Sequence, residues 1–189
     1  MPKILSTRLV YSTPRVNLLE KKVALRDNKN PENYYCIDQA PYVGILALTE
    51  DGRVPLIRQY RPCVEDFTWE FPGGTVDAGE QPAEAAEREI VEETGLSVRQ
   101  LVFLGEYFPD TGRLQMSSFG YFARVSNPIP NFNIEIGLEL RLVSVDDLNR
   151  MILSGQFRSQ LHLGIYATAM LKGFDGIKNV TDSLALSRK

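Results

Sequence analysis

Four glutamates, Glu80, Glu89, Glu92 and Glu93, stand at spacings that could assemble a site for a hard cation. Glu89 and Glu93 are four residues apart, so on a helix they share a face, with Glu92 on the flank. Residues 74–96 hold six glutamates and one aspartate, and like charges at this spacing destabilise a helix by roughly 0.2–0.5 kcal/mol per pair. Something must offset that repulsion. Magnesium takes oxygen ligands, usually one or two carboxylates together with substrate phosphates and water, and this face offers such a set. A solvated acidic stripe is the ordinary alternative. Two features argue against it. Arg88 lies among the acids, where its planar fork could brace Glu80 or Glu92. The stretch "PGGTVDAGE" just before is a glycine-rich loop whose backbone can approach a ligand closely.

These residues need a helix, and the sequence supplies one. Ala and Glu dominate from Pro82 to Thr94, with Pro at the first turn and Gly95 just past the end. Ala85, Ala86 and Ile90 give its other side an apolar surface that can pack on a sheet, which turns the carboxylates outward toward a cleft. Around it the chain reads largely as strands. Arg8–Ser12 and Val16–Ala24 alternate, and "RDNKNPENYY" supplies a turn before a third extended piece. Val43–Leu48 and Val54–Ile57 flank Asp51-Gly52 and read as an antiparallel hairpin. Leu101–Phe108, Met116–Val125 and Leu138–Val143 are further strands. Ser144 with Asp147 opens a helix "VDDLNRMIL", and Ser159–Leu171 makes the last one. Mixed along the chain in this way, strands and helices give an α/β or α+β class. Residues 1–38 form a strand-rich extension, 39–177 the main domain, and the polar tail 178–189 is expected to fray.

The spacing of the acidic segment fills every fixed position of G-x5-E-x7-R-E-U-x-E-E-x-G-U, with U aliphatic, from Gly74 to Leu96. In this the chain resembles the Nudix hydrolases. The resemblance implies an α/β/α sandwich around a mixed sheet, and magnesium-dependent hydrolysis, with manganese as the alternative ion, of a nucleoside diphosphate linked to another group. It also implies that Glu89 and Glu93 are the principal metal ligands, that Glu92 is a further ligand or water contact, and that the carbonyl of Gly73 joins them. Glu80 and Arg88 would be the structural pair holding loop to helix.

"LIRQYRP" and "WEFPGG" are similar to the ADP-ribose pyrophosphatase and nucleotide-sugar hydrolase branch, although many of its members carry Ala where Gly73 stands. Pro109, fourteen residues after Gly95, falls near a proline of that branch, and equally fits an ordinary turn. Arg58 and Arg61 suit phosphate recognition, but their odd spacing puts them on opposite strand faces; Arg61 is the preferred phosphate contact, with a surface ion pair as the alternative. Trp69, Tyr60 and Phe108 could stack on a base or fill the core. His162, the one histidine, reads as surface or packing rather than catalytic. Relatives in this branch usually take a general base from a loop beyond the acidic helix, and "NFNIEIGLEL" offers Glu135, which is preferred, and Glu139.

Composition bounds the alternatives. With 43% hydrophobic and 24% charged residues, the 189-residue chain is globular, and its net charge of −3 makes nucleic acid an unlikely partner. Two cysteines without CxxC spacing, no apolar run of 18 and no signal-peptide core lead to an expected cytoplasmic location without membrane attachment. Members of this branch commonly form homodimers through exchanged N-terminal strands, so the extension suggests the same here. The rival readings are a hydrolase of another nucleotide sugar or dinucleoside polyphosphate, and a non-catalytic nucleotide-binding module. The latter usually loses the acidic residues that this chain keeps.

Overall fold

A computed structural model describes residues 1–25, 30–128, 132–174 and 176–177. The polar tail and part of the turn before the third strand lie outside them. Eleven strands and three helices are seen among the described residues. Strands β1 (Lys3–Ser12), β2 (Val16–Ala24) and β3 (Glu32–Gln39) form an antiparallel meander that β9 (Leu114–Gln115) extends in parallel from the main body. The central sheet runs β7 (Gly73–Thr75), β4 (Tyr42–Thr49), β10 (Ser118–Pro128), β8 (Leu96–Tyr107), with β10 parallel to β4 and antiparallel to β8. A third sheet runs β11 (Glu139–Ser144), β5 (Arg53–Arg61), β6 (Asp66–Glu70).

Strand β4 is buried on both faces, and its alternation sorts the core. Val43, Ile45 and Ala47 meet Ala85, Ala86 and Ile90 of α1 (Pro82–Thr94). Leu46 and Leu48 meet Leu148 and Met151 of α2 (Val145–Leu153) and Ile165 and Ala169 of α3 (Gln160–Leu171). The molecule is therefore an α/β sandwich with α1 on one side of the central sheet and α3 on the other.

The Val43–Leu48 and Val54–Ile57 runs do not form the expected hairpin. The turn itself is made: Gly52 adopts φ of 78° and its N–H donates to the Thr49 carbonyl at 2.9 Å. Both edges of β4 are nevertheless taken by β7 and β10, and both edges of β5 by β11 and β6. The two strands part into different sheets. Apolar alternation specifies which side chains are buried, and it is silent on which neighbour supplies the ladder.

Helix α1 is closed at both ends. Gln81 and Glu84 form a reciprocal capping box with Pro82 at the first turn, and Gly95, at φ of 64°, donates to the Val91 carbonyl at 2.9 Å. The Ser144 hydroxyl accepts the Asp147 N–H at 3.0 Å and caps α2 as its sequence suggests.

Candidate active site

The segment Phe71 to Gly74, which leaves β6 and enters β7, crosses directly beside α1, and its glycines make that possible. A side chain at Gly73 would overlap the Val43 carbonyl, and one at Gly74 would overlap the Glu89 carboxylate. With neither present, the Gly73 N–H donates to Glu93 Oε2 at 2.9 Å. The Ile45 N–H holds the Pro72 carbonyl at 2.9 Å, so the loop is anchored to the central sheet as well.

Glu93 does not stand outward. It is only 7% exposed, and burial, with Glu89 adding, pushes its carboxyl up to about 8 against the opposing pull of the Gly73 N–H and Arg61. Glu89 is also raised, by burial first, although Arg88 opposes the shift. The two carboxyls on this face therefore both resist ionisation.

Arg88 answers the question of crowded charge. Its guanidinium binds Glu80 at 2.8 and 2.9 Å, Glu89 at 2.7 Å and Glu92 at 3.1 Å, and it donates to the Thr75 carbonyl at 3.1 Å. One fork thus holds three carboxylates and the loop. Glu80 is held down to about 2 by Arg88 and by the Asp77 N–H. Glu92 is more than half exposed and faces solvent.

The remaining residues fall on two faces of the β5 sheet. Arg61 makes a two-pronged pair with Glu70 at 2.9 and 2.5 Å, and the Thr68 hydroxyl also binds Glu70. Burial works against the Glu70 charge, but Arg61 and Thr68 hold its carboxyl below the ordinary value. This pair lies close enough to Glu93 to act on its ionisation. Near enough to both to feel their charge is Tyr42, whose hydroxyl is pushed up by burial and then by Glu70. On the opposite face Arg58 pairs with Glu139 at 3.1 Å and lies over Phe67 and Trp69, 4.8 and 5.9 Å from the ring centres. Glu139 is therefore turned away from Arg61 and Glu70. Glu135 is exposed in the loop before β11. Phe132, three residues before Glu135, lays its ring on Gly95 at the end of α1. Pro109 is half-buried just past β8, beside exposed Phe108.

Thus Gly73, Glu80, Arg88, Glu89 and Glu93 converge, with Arg61 adjoining through Glu70. Arg58, Trp69 and Glu139 gather elsewhere. Sequence reasoning assigned no role to Tyr42 or Glu70. Glu70 carried a signal, an acid between two large rings and nine residues from an arginine; Tyr42, at the start of an apolar run, carried none.

Among the described residues no three His, Cys, Asp or Glu side chains already form a metal-holding group. The donor set is two inward carboxylates, Glu89 and Glu93, beside the backbone of Gly73. That fits a hard ion which keeps waters and borrows ligands from a substrate, rather than one caged by protein. Beside the site a cleft of about 850 Å³ opens between the β1–β2 turn and the glycine loop, lined by Arg15, Asn17, Asp38, Tyr42, Thr75 and Asp77. No helix among the described residues is long and apolar enough to cross a membrane.

Known proteins resemble this chain in sequence and in fold. The ADP-ribose pyrophosphatase of Bacillus subtilis is 26% identical over 110 residues, covering 58% of this chain and 59% of that one. An RNA pyrophosphohydrolase of Caulobacter vibrioides is 44% identical over 62 residues, 33% of this chain and 36% of its own. A CMP-5'-(N-acetyl-N-hydroxy-3-aminopropyl)phosphonate hydrolase of Streptomyces rubellomurinus is 27% identical over 170 residues, covering 88% and 81%. The first two matches thus span less than two thirds of those relatives. A crystal structure of an ADP compounds hydrolase superposes with a TM-score of 0.77 at 21% identity, covering 91% of this chain and 95% of that one, and shows the same fold. The NUDIX domain model matches residues 38–161, which contain the whole acidic helix and its glycine loop, and the chain belongs to the Nudix family.

Proposed function

We propose that this protein hydrolyses the pyrophosphate bond of a nucleoside diphosphate linked to another group, with ADP-ribose as the leading substrate and AMP and ribose 5-phosphate as products. The observation that carries the reading is the buried Glu93 carboxyl, tied by the Gly73 N–H to the glycine loop that also passes Glu89. Glu89, Glu93 and the Gly73 carbonyl are the residues to hold magnesium, or manganese in its place, with Glu92 as a further ligand or a water contact. When bound, such an ion neutralises charge on the phosphoryl oxygens and favours ionisation of water.

The chain's own groups do the rest. The Gly73 N–H fixes Glu93, and Arg88 with Glu80 and the Thr75 carbonyl fixes the loop against α1. Arg61 offers positive charge to a phosphate, at the cost of sharing its fork with Glu70. Glu135 takes the proton of the attacking water: Phe132, three residues before it, packs on the end of α1, whereas Glu139 is engaged by Arg58 on the other face. Trp69 and Arg58 lie with Glu139 on the other face and take no part in this reading, and Pro109 is assigned to an outer contact of the substrate. The test is a panel of nucleoside diphosphate compounds with and without magnesium, read by chromatography of the monophosphate. Release of AMP from ADP-ribose that stops with chelator is expected; no product from any compound would overturn the reading.

A second substrate reading has its own support. The Streptomyces relative, named for a CMP-linked phosphonate, aligns over more of this chain than the Bacillus pyrophosphatase does. A cytidine compound cleaved faster than ADP-ribose in the same panel would favour it.

The N-terminal meander is proposed to pair with a second copy. Every residue of β1 is exposed, including Ile4, Leu5, Leu9, Val10 and Tyr11, and apolar strands of that kind are normally covered. Light scattering should give twice the monomer mass; a monomer would exclude the pairing.

A further inference from the structure

The buried histidine has a place in the architecture of the cation site. His162 is 1% exposed among Phe71, Phe157 and Tyr42, with ring centres 5.6, 6.4 and 6.2 Å away. Its Nδ1 accepts the Phe71 N–H at 3.2 Å, which places the ring proton on Nε2. Nε2 has no partner. Burial holds the imidazole down to about 4, so the ring stays neutral and keeps its acceptor. Gly44 makes room for it: a Cβ there would stand 3.2 Å from the imidazole and 2.7 Å from Ile165.

A polar ring in an apolar layer, with one nitrogen left unsatisfied, is costly packing. An aliphatic side chain would fill the same space more favourably unless the other nitrogen matters. Phe71 is two residues before Gly73, and Pro72 between them is held by the Ile45 N–H. Along Phe71–Gly73 the side-chain anchors are thus His162 at one end and Glu93 at the other, with the backbone of β4 holding the rest.

We propose that His162 is a positioning residue for the cation site: by accepting the Phe71 N–H from α3, it sets the loop backbone that presents Gly73 to Glu93. It touches no reacting atom. The two helices on opposite sides of the central sheet are thereby joined through one loop, α1 by Glu93 and α3 by His162. The proposal rests on the cation-dependent hydrolase reading and adds a residue that the acidic motif does not contain.

The test compares His162→Asn, whose amide oxygen can occupy the Nδ1 position, with His162→Gln, whose amide reaches the Nε2 position instead. Mn2+ affinity of the full chain is measured by electron paramagnetic resonance without substrate, beside thermal melts of each variant. The Asn variant should bind within about threefold of the wild type, and the Gln variant at least about tenfold more weakly, the loss of one hydrogen bond. If the Gln variant does not fold, His162→Leu repeats the test with the same expected loss. Wild-type affinity in a folded Gln or Leu variant would overturn the proposal, as would equal losses in Asn and Gln. Absence of Mn2+ uptake by the wild type would overturn the hydrolase reading and this proposal together.

Discussion

The Gly73 N–H and the Glu93 carboxylate meet at 2.9 Å, joining the glycine loop to the face of α1 that carries the acids. Replacing Glu93 with Gln keeps an oxygen that can accept this hydrogen bond while removing the charge. Turnover should fall by about 100-fold or more, the scale of losing charge stabilisation at a phosphoryl group. The melting temperature of the metal-free protein should change little near neutral pH, because the amide replaces a carboxyl that is already largely uncharged there. Steady-state kinetics and calorimetry on the same preparation check both.

Gly74 is the contact point for the other inward acid. In Gly74→Ala the new methyl and the Glu89 carboxylate cannot both keep their places, so the carboxylate or the loop must shift. We expect a stability loss of about 1–3 kcal/mol, as for an overpacked interior, and weaker magnesium activation. Chemical denaturation and a magnesium titration of rate read the two effects.

The acidic helix shows what the sequence can and cannot convey. Its limits at Pro82 and Gly95, its apolar side and the Arg88–Glu80 pairing are local, decided by residues within one or two turns, and so they are legible. The burial of Glu93 is not, because it depends on a loop that arrives from β6. Likewise Arg61 was legible as a strand-end cation and Glu70 only as a nearby acid until β6 paired with β5, and the placing of Glu139 beside Arg58 depends on β11 pairing with β5. The false hairpin at Asp51-Gly52 has the same origin, since turn chemistry is local and sheet partners are distant.

Cation binding should release protons near neutrality. The Glu93 carboxyl is raised from about 4.5 to about 8 by burial, so without metal it is largely protonated at pH 7. A cation needs the ionised form. Affinity should therefore rise by up to about tenfold per pH unit toward pH 8 and level off above it. The sign for folding is opposite: between 4.5 and 8 the folded metal-free chain holds a proton that the unfolded chain has lost, so metal-free stability declines as pH rises through that window. Calorimetry in buffers of different ionisation enthalpy counts the protons released, and a pH-independent affinity would contradict the assignment.

His162 acts in the other direction. Its folded value, about 4, is below the ordinary 6.5, so between these limits the unfolded chain binds a proton that the folded one refuses. Stability is full above pH 6.5 and is lost as pH falls through the window, by up to about 1.4 kcal/mol per unit. The difference in unfolding free energy between wild type and His162→Asn isolates this contribution from that of Glu93. It should shrink or reverse from pH 7 to pH 4.5; a difference that stays constant would contradict the burial of a neutral ring.

Mn2+ titration by electron paramagnetic resonance of the wild type and of the Glu89→Gln/Glu93→Gln double variant addresses the cation site without reference to any substrate. One saturable site in the wild type, absent from a double variant that still melts cooperatively, is the predicted result. Equal uptake by the two proteins would place the cation elsewhere and contradict the account.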